Sequence, residues 1–336
     1  CLWARSIFIM KQRMYLIGLT LCVLILLGGV PWFFPTNLTG LWDDQTRHFA
    51  DGFELIRTFR LPRLMAAGMI GAVLALSGMI YQAMLQNPLA EPFILGVASG
   101  AALGVALVIH FGISVGVFSI FGLSSTAIGA FFGALAVSGL IYLLSFRHLE
   151  KTLTLLLVGV MLNFFISSLI MLLQAIGEPH KVLAMIDWMM GRLTLVESHE
   201  LWQLAVISGL FLLAIYRLSP HLNLLSLGRV AAQTRGLSLK PVISLLFIMV
   251  SLVVGYAVSL AGPIGFVGLI VPHIVRITLG NDHRQNWPVV ALLGAVLLMS
   301  ADLVAQTMLY PADLPVGVIT SILGAPLFLY LLLSKK

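Results

Sequence analysis

Along this chain the apolar positions neither alternate with period two nor trace a single helical stripe. They gather into windows of roughly 20 residues, the length a helix needs to cross a ~30 Å hydrocarbon core. Ten windows can be marked: 14–34, 64–85, 93–111, 117–145, 152–174, 198–217, 241–261, 264–280, 287–309 and 315–333. They are too long and too uniformly apolar for barrel strands, so helices that satisfy their own backbone hydrogen bonds are expected. The pattern predicts an all-α polytopic membrane protein, one transmembrane domain over 1–336. The eighth window is the weakest: it is short, carries Pro272, and is parted from the seventh only by Gly262 and Pro263.

One joint interrupts the pattern with polar residues, QNPLAEPFILGVASGAALG at 86–104. Residues 86–92 are expected to form a tight turn in which Pro88 and Pro92 end one helix and restart the next. Asn87 and Glu91 can satisfy backbone groups freed there. Beyond them Gly96, Ser99, Gly100, Ala101 and Gly104 make a small-residue face suited to close helix packing.

Composition agrees with this solvent. Sixty per cent of residues are hydrophobic, 10% are charged and the mean hydropathy is +1.06, against about 25% charged residues in soluble domains. Charge then sets the orientation. With ten spans, one side receives Arg5, Lys11, Arg13, Arg147, Lys151, Arg217, Arg229, Arg235, Lys240, Arg276, Arg284, Lys335 and Lys336, which is 13 of the 19 basic residues. The positive-inside rule makes that side cytoplasmic, together with both termini. The net charge of +6 is thereby a matter of topology, and no basic tract with interleaved aromatics suggests nucleic acid. The first window is expected to be an uncleaved anchor. Cys22 lies within it, and no disulfide with Cys1 is expected.

Catalytic chemistry is not evident. G-x-x-x-x-G-K-[ST] and H-E-x-x-H are both absent, so neither a nucleotide site nor a catalytic centre nor a metal centre is expected in this chain. Ion-coupled carriers need ionisable groups within the spans. The clear candidate is Asp302, expected to pair with an arginine or with Gln306 one turn on; the sharper reading is a proton relay. His273 is expected to be structural. On span five, Asn163, Ser167 and Gln174 share a face and are candidates to line a path, with interhelical hydrogen bonding as the plain alternative. The longest basic joint, 218–240, is expected to start where Pro220 breaks span six. Within it RVAAQTR, 229–235, can form two helical turns stopped by Gly236, either a solvated loop or a knob that docks into a partner.

Taken together, FRLPR (59–63), GAVLALSGMIYQAMLQNPLAEPFILGVASGAALG (71–104), LLLVGVMLN (155–163), LNLLSLG (222–228), GPIGFVGLIVPHIVR (262–276), NDHR (281–284) and LPVGVITSILGAPLFLYLL (314–332) resemble the iron-chelate and cobalamin permease family of type II ABC importers. The resemblance implies a bacterial inner-membrane permease subunit that forms a homodimer with the path on its two-fold axis. It implies two cytoplasmic ATPase subunits, which would carry ATP and Mg, and an extracytoplasmic binding protein. Leu227, Gly228, Arg229, Ala232, Arg235 and Gly236 would form the ATPase-coupling element. Arg60 and Arg63 would receive the binding protein, and Asn87 would stand at the inner mouth of the path. The implied cargo is a ferric siderophore, haem or cobalamin. An oxyanion such as molybdate or tungstate is the alternative in the same architecture, and an ion-coupled secondary carrier the rival outside it. Two positions depart from the family pattern: Gln306, where cobalamin permeases carry a third arginine, and Arg229, where relatives often carry Glu.

Overall fold

The computed structural model describes residues 14–23, 25–26, 60–114, 124–145, 152–193, 196–309 and 312–333. Among the described residues the chain is all-helical. In order it forms α1 (Met14–Val23), α2 (Leu61–Leu85), α3 (Val97–Phe111), α4 (Ser125–Ser145), α5 (Thr152–Ile176), α6 (Pro179–Met189) and α7 (Ser198–Ser226). There follow α8 (Arg229–Thr234), α9 (Leu239–Ala261), α10 (Val267–Leu279), α11 (His283–Thr307) and α12 (Val316–Leu333). Six of these are long and apolar enough to cross a membrane, and α1, α3, α10 and α12 are shorter apolar helices; all ten fall on the expected windows. The rest of the first window and the start of the fourth lie outside the described residues.

The centre of the bundle is α2, buried along nearly its whole length between α11, α10, α7 and α9. A sequence this apolar cannot drive helix association by hydrophobicity inside lipid, so close backbone contact does the work. Gly71 of α2 meets the backbone of Gly294 on α11, and Gly78 meets Gly268 on α10; a Cβ at either α2 position would overlap the opposing chain. A second pair forms in the same way. Gly100 and Gly104 of α3 lie against Gly133 and Gly129 of α4. The glycines on α4 carry a legible signal, GAFFG, that the reading of 86–104 alone did not use.

Two prolines behave differently from their simplest interpretation. Pro220 does not break span six, because α7 runs through it to Ser226. A proline removes the hydrogen bond to the carbonyl four residues earlier, here that of Tyr216. The Ser219 hydroxyl donates to that carbonyl instead, at 3.0 Å. The expected 218–240 joint therefore shrinks to the residues after Ser226. Pro272 likewise frees the carbonyl of Gly268, and the Gln82 side chain on α2 donates to it and to the Leu269 carbonyl, each at 3.2 Å. Gln82→Leu should leave that buried carbonyl without a donor and cost about 1–3 kcal/mol. A thermal unfolding midpoint equal to that of the unmutated chain would contradict this account.

The eighth span is short, as its sequence suggested. At 1.5 Å per residue, the 13 residues of α10 reach about 20 Å, and residues 262–266 lead into it without helix. Gly262 and Phe266 bound this stretch with φ of 68° and 69°. The 11-residue α6 lies in a polar stretch that the hydrophobic pattern passed over, although Pro179 stands at its first turn, where proline is favoured.

Candidate functional site

The polar joint after α2 is longer than a tight turn. Gln86 ends α2 in the left-handed region (φ 49°), and its side-chain amide donates to the Leu225 carbonyl at the end of α7 (2.9 Å). The Asn87 side-chain oxygen accepts from the Leu89 backbone N–H at 2.9 Å, a local turn bond. Pro92 does not restart the helix. Four more residues stay non-helical, and α3 begins at Val97 after Gly96 at φ 80°. The cause is Asn163 on α5, whose Nδ2 donates to the carbonyls of Phe93 and Ile94 (3.3 and 3.1 Å). Its Oδ1 accepts from the Ser99 hydroxyl. Asn163 thus braces the joint.

The other predicted residues of α5 are not joined to it. Ser167 is exposed, and the nearest polar partner of the Gln174 amide is the Met189 sulfur of α6 at 4.0 Å. Glu91 sits in the joint with its Oε2 enclosed and without a hydrogen-bond partner. Burial pushes its carboxyl up to about 7, with the Phe266 backbone opposing, so its charge is poised near neutral pH.

At the same end of the bundle, α8 stands between α7 and α9. Gly228 enters it at φ 105° and Gly236 leaves it at φ 84°. The Gly236 N–H donates to the Gln233 carbonyl (2.9 Å) and the Leu237 N–H to the Ala232 carbonyl (3.0 Å), the two bonds of a Schellman stop. Ala232 is fully buried and anchors the turn, whereas Leu227 and Val230 are 55% and 75% exposed. Leu227, at the end of α7, and Val230, on α8, thus form an apolar pair held outward beside Arg229 and Arg235.

At the opposite end, α2 starts with Arg60 and Arg63. Arg63 is largely engaged within the chain. Its Nε and Nη2 donate to the carboxylate of Asp302 on α11 (3.1 and 2.8 Å), and its Nη1 donates to Asp313 (2.9 Å). Gln306 Nε2 donates to the other Asp302 oxygen (2.7 Å). Asp302 is fully buried and saturated by these contacts. The sequence reading named Arg63, Asp302 and Gln306 but not Asp313, whose role depends on a loop returning to α2. Among the described residues no cluster of three His, Cys, Asp or Glu could hold a metal ion.

The sequence pattern of the FecCD transport family matches residues 16–334. The chain belongs to that family. Among FecCD-type relatives, the vitamin B12 import system permease BtuC of Klebsiella pneumoniae is 38% identical over 97% of this chain and 95% of its own length. The hemin transport system permease HmuU of Yersinia pestis is 34% identical over 97% of both. Among solved structures, a metal-chelate type ABC transporter in an inward-facing conformation matches with a TM-score of 0.79 at 33% identity, covering 96% of this chain and 99% of that one. As a FecCD protein the chain is a multi-pass membrane permease of the ABC importer class.

Proposed function

We propose that this permease passes a metal-centred macrocycle or other bulky metal chelate into the cytoplasm. The observation that carries the proposal is near full-length likeness to permeases named for vitamin B12 and for hemin, two cargoes that share a chelated metal. The α8 end is cytoplasmic, as the distribution of Lys and Arg argues, and both termini lie on that side. The subunit works as a homodimer. Its contact and path draw on the α5 and α12 faces, where Met161, Phe164, Ile322 and Leu323 are exposed in the single chain and Ser167 is open.

Two ATPase subunits carrying ATP and Mg dock on α8 through Leu227, Val230, Arg229 and Arg235. A binding protein docks at the Arg60 end. Because Arg63 is already held by Asp302 and Asp313, docking through it exchanges the half-exposed Asp313 carboxylate for one on the partner, a rim contact that fixes register more than it adds affinity.

The test reconstitutes the chain with its ATPase and binding protein in vesicles and offers cobalamin, haem, a ferric siderophore and molybdate. ATP-dependent uptake of one chelate is expected. Uptake of molybdate alone would replace the cargo assignment with an oxyanion. Uptake on an ion gradient without ATP would overturn the importer assignment altogether.

A further inference from the structure

Where α2, α10 and α11 approach one another at the α8 end, they enclose a cavity of about 170 Å³. Such a volume holds a small polar group rather than a cargo-sized ligand. Its wall carries Arg276, Asn281, His283, Asn286, Gln82 and Gln86.

Arg276 is the unusual member. Its Nη2 lies 2.8 Å from the Nδ1 of His273, and among the described residues no carboxylate forms an ion pair with it. The adjacent acid, Asp282, turns its Oδ1 to Asn223 Nδ2 (2.7 Å) and to the Arg284 backbone N–H (3.1 Å) instead. A half-buried guanidinium without a counter-charge is costly, and an anion in the cavity would offset that cost.

The second member of interest needs the opposite kind of group. Asn286 is 4% exposed. Its Nδ2 donates to the Gly280 carbonyl at 2.7 Å, while its Oδ1 is enclosed with no donor. A buried acceptor left without a hydrogen is itself unfavourable. Gln82 has none to spare, since its amide already donates to the Gly268 and Leu269 carbonyls, and the Gln86 amide is turned to the Leu225 carbonyl. The cavity therefore presents one uncompensated cation and one buried oxygen that needs an O–H or N–H.

We infer that this cavity binds a phosphate group bearing a hydroxyl, with its charged oxygens on Arg276 and a hydroxyl hydrogen on Asn286 Oδ1. Two sources carry that chemistry. One is hydrogen phosphate itself. The other is the glycerol-phosphate headgroup of phosphatidylglycerol, since basic pockets between spans are places where anionic headgroups lodge. Sulfate has the same shape and charge but no hydroxyl at neutral pH, which separates charge recognition from the Asn286 contact.

The full chain in discs of phosphatidylcholine would be titrated with inorganic phosphate and, separately, with sulfate by calorimetry. The chain from discs containing phosphatidylglycerol would be weighed by native mass spectrometry. Expected is saturable phosphate binding about tenfold tighter than sulfate, or one phosphatidylglycerol retained per chain; either supports the site and names its source. Arg276→Gln should weaken phosphate binding at least about tenfold or remove the retained lipid. The unmutated chain's preference for phosphate over sulfate tests the soluble source, and its choice between retaining phosphatidylglycerol and phosphatidylcholine tests the lipid source. Neither readout depends on that variant folding. Absence of both ligands, equal affinity for sulfate without a retained lipid, equal retention of phosphatidylcholine without phosphate binding, or a folded Arg276→Gln chain that binds unchanged would each overturn the inference. No ATPase, binding protein or cargo is present, so the result is independent of the import assignment.

Discussion

Replacing Asp302 by alanine should destabilise the chain by about 3–5 kcal/mol, the usual cost of removing one partner from a buried ion pair. The substitution strands Arg63, whose side chain is 14% exposed, and leaves it only the Asp313 contact at the surface. It also deprives the Gln306 amide of its acceptor. The loss arises from the unpaired charge more than from the pair's intrinsic strength, and this gives the prediction a second arm. Exchanging both partners for apolar residues, Asp302→Leu with Arg63→Met, should recover much of the deficit. Thermal unfolding of the detergent-solubilised chain, followed by tryptophan fluorescence, measures both. A single variant within about 0.5 kcal/mol of the unmutated chain would show that the pair is not closed in solution.

The second large effect concerns α8. Leu227→Asp combined with Val230→Asp should reduce ATP-dependent uptake by about a hundredfold or more, as expected when the apolar centre of a docking contact is lost. Both side chains are exposed in the single chain, so helix content and thermal midpoint should stay within experimental scatter. The control is Ala232→Asp, which places a charge at a fully buried position and should disrupt the turn itself. Co-purification of the ATPase with the double variant at normal yield and full uptake would remove α8 from the coupling surface.

Much of the fold was legible in the sequence because lipid imposes one rule on every span: about 20 apolar residues with internally paired backbone. The errors occurred where a side chain from elsewhere changed a local rule. Pro220 looks like a helix stop, yet the adjacent Ser219 hydroxyl supplies the missing bond to Tyr216 and the helix continues. Pro92 looks like a helix start, yet Asn163, 70 positions from Phe93, holds the following carbonyls outside the helix.

The candidate site divides in the same way. The turn at 229–236 was readable because its stop needs only a local glycine. The pairing of Asp302 with an arginine and with Gln306 was also expected, but not that the arginine is Arg63, because a docking arginine and an ion-paired arginine are the same letter and the two partners lie 239 residues apart.

The glycine contacts of α2 have a mechanical consequence. Where Gly71 touches Gly294 and Gly78 touches Gly268, no side chains lie between the backbones to slide or repack, and Gln82 pins α10 once more. Helices α2, α10 and α11 are therefore expected to move as one lever. Its pivot would be the non-helical stretch 262–266, where the chain carries two left-handed residues and the helical ladder is interrupted between the Gly262–Val258 and Ile270–Phe266 bonds. A carrier built this way would change shape by swinging a stiff arm about those five residues rather than by deforming throughout the bundle.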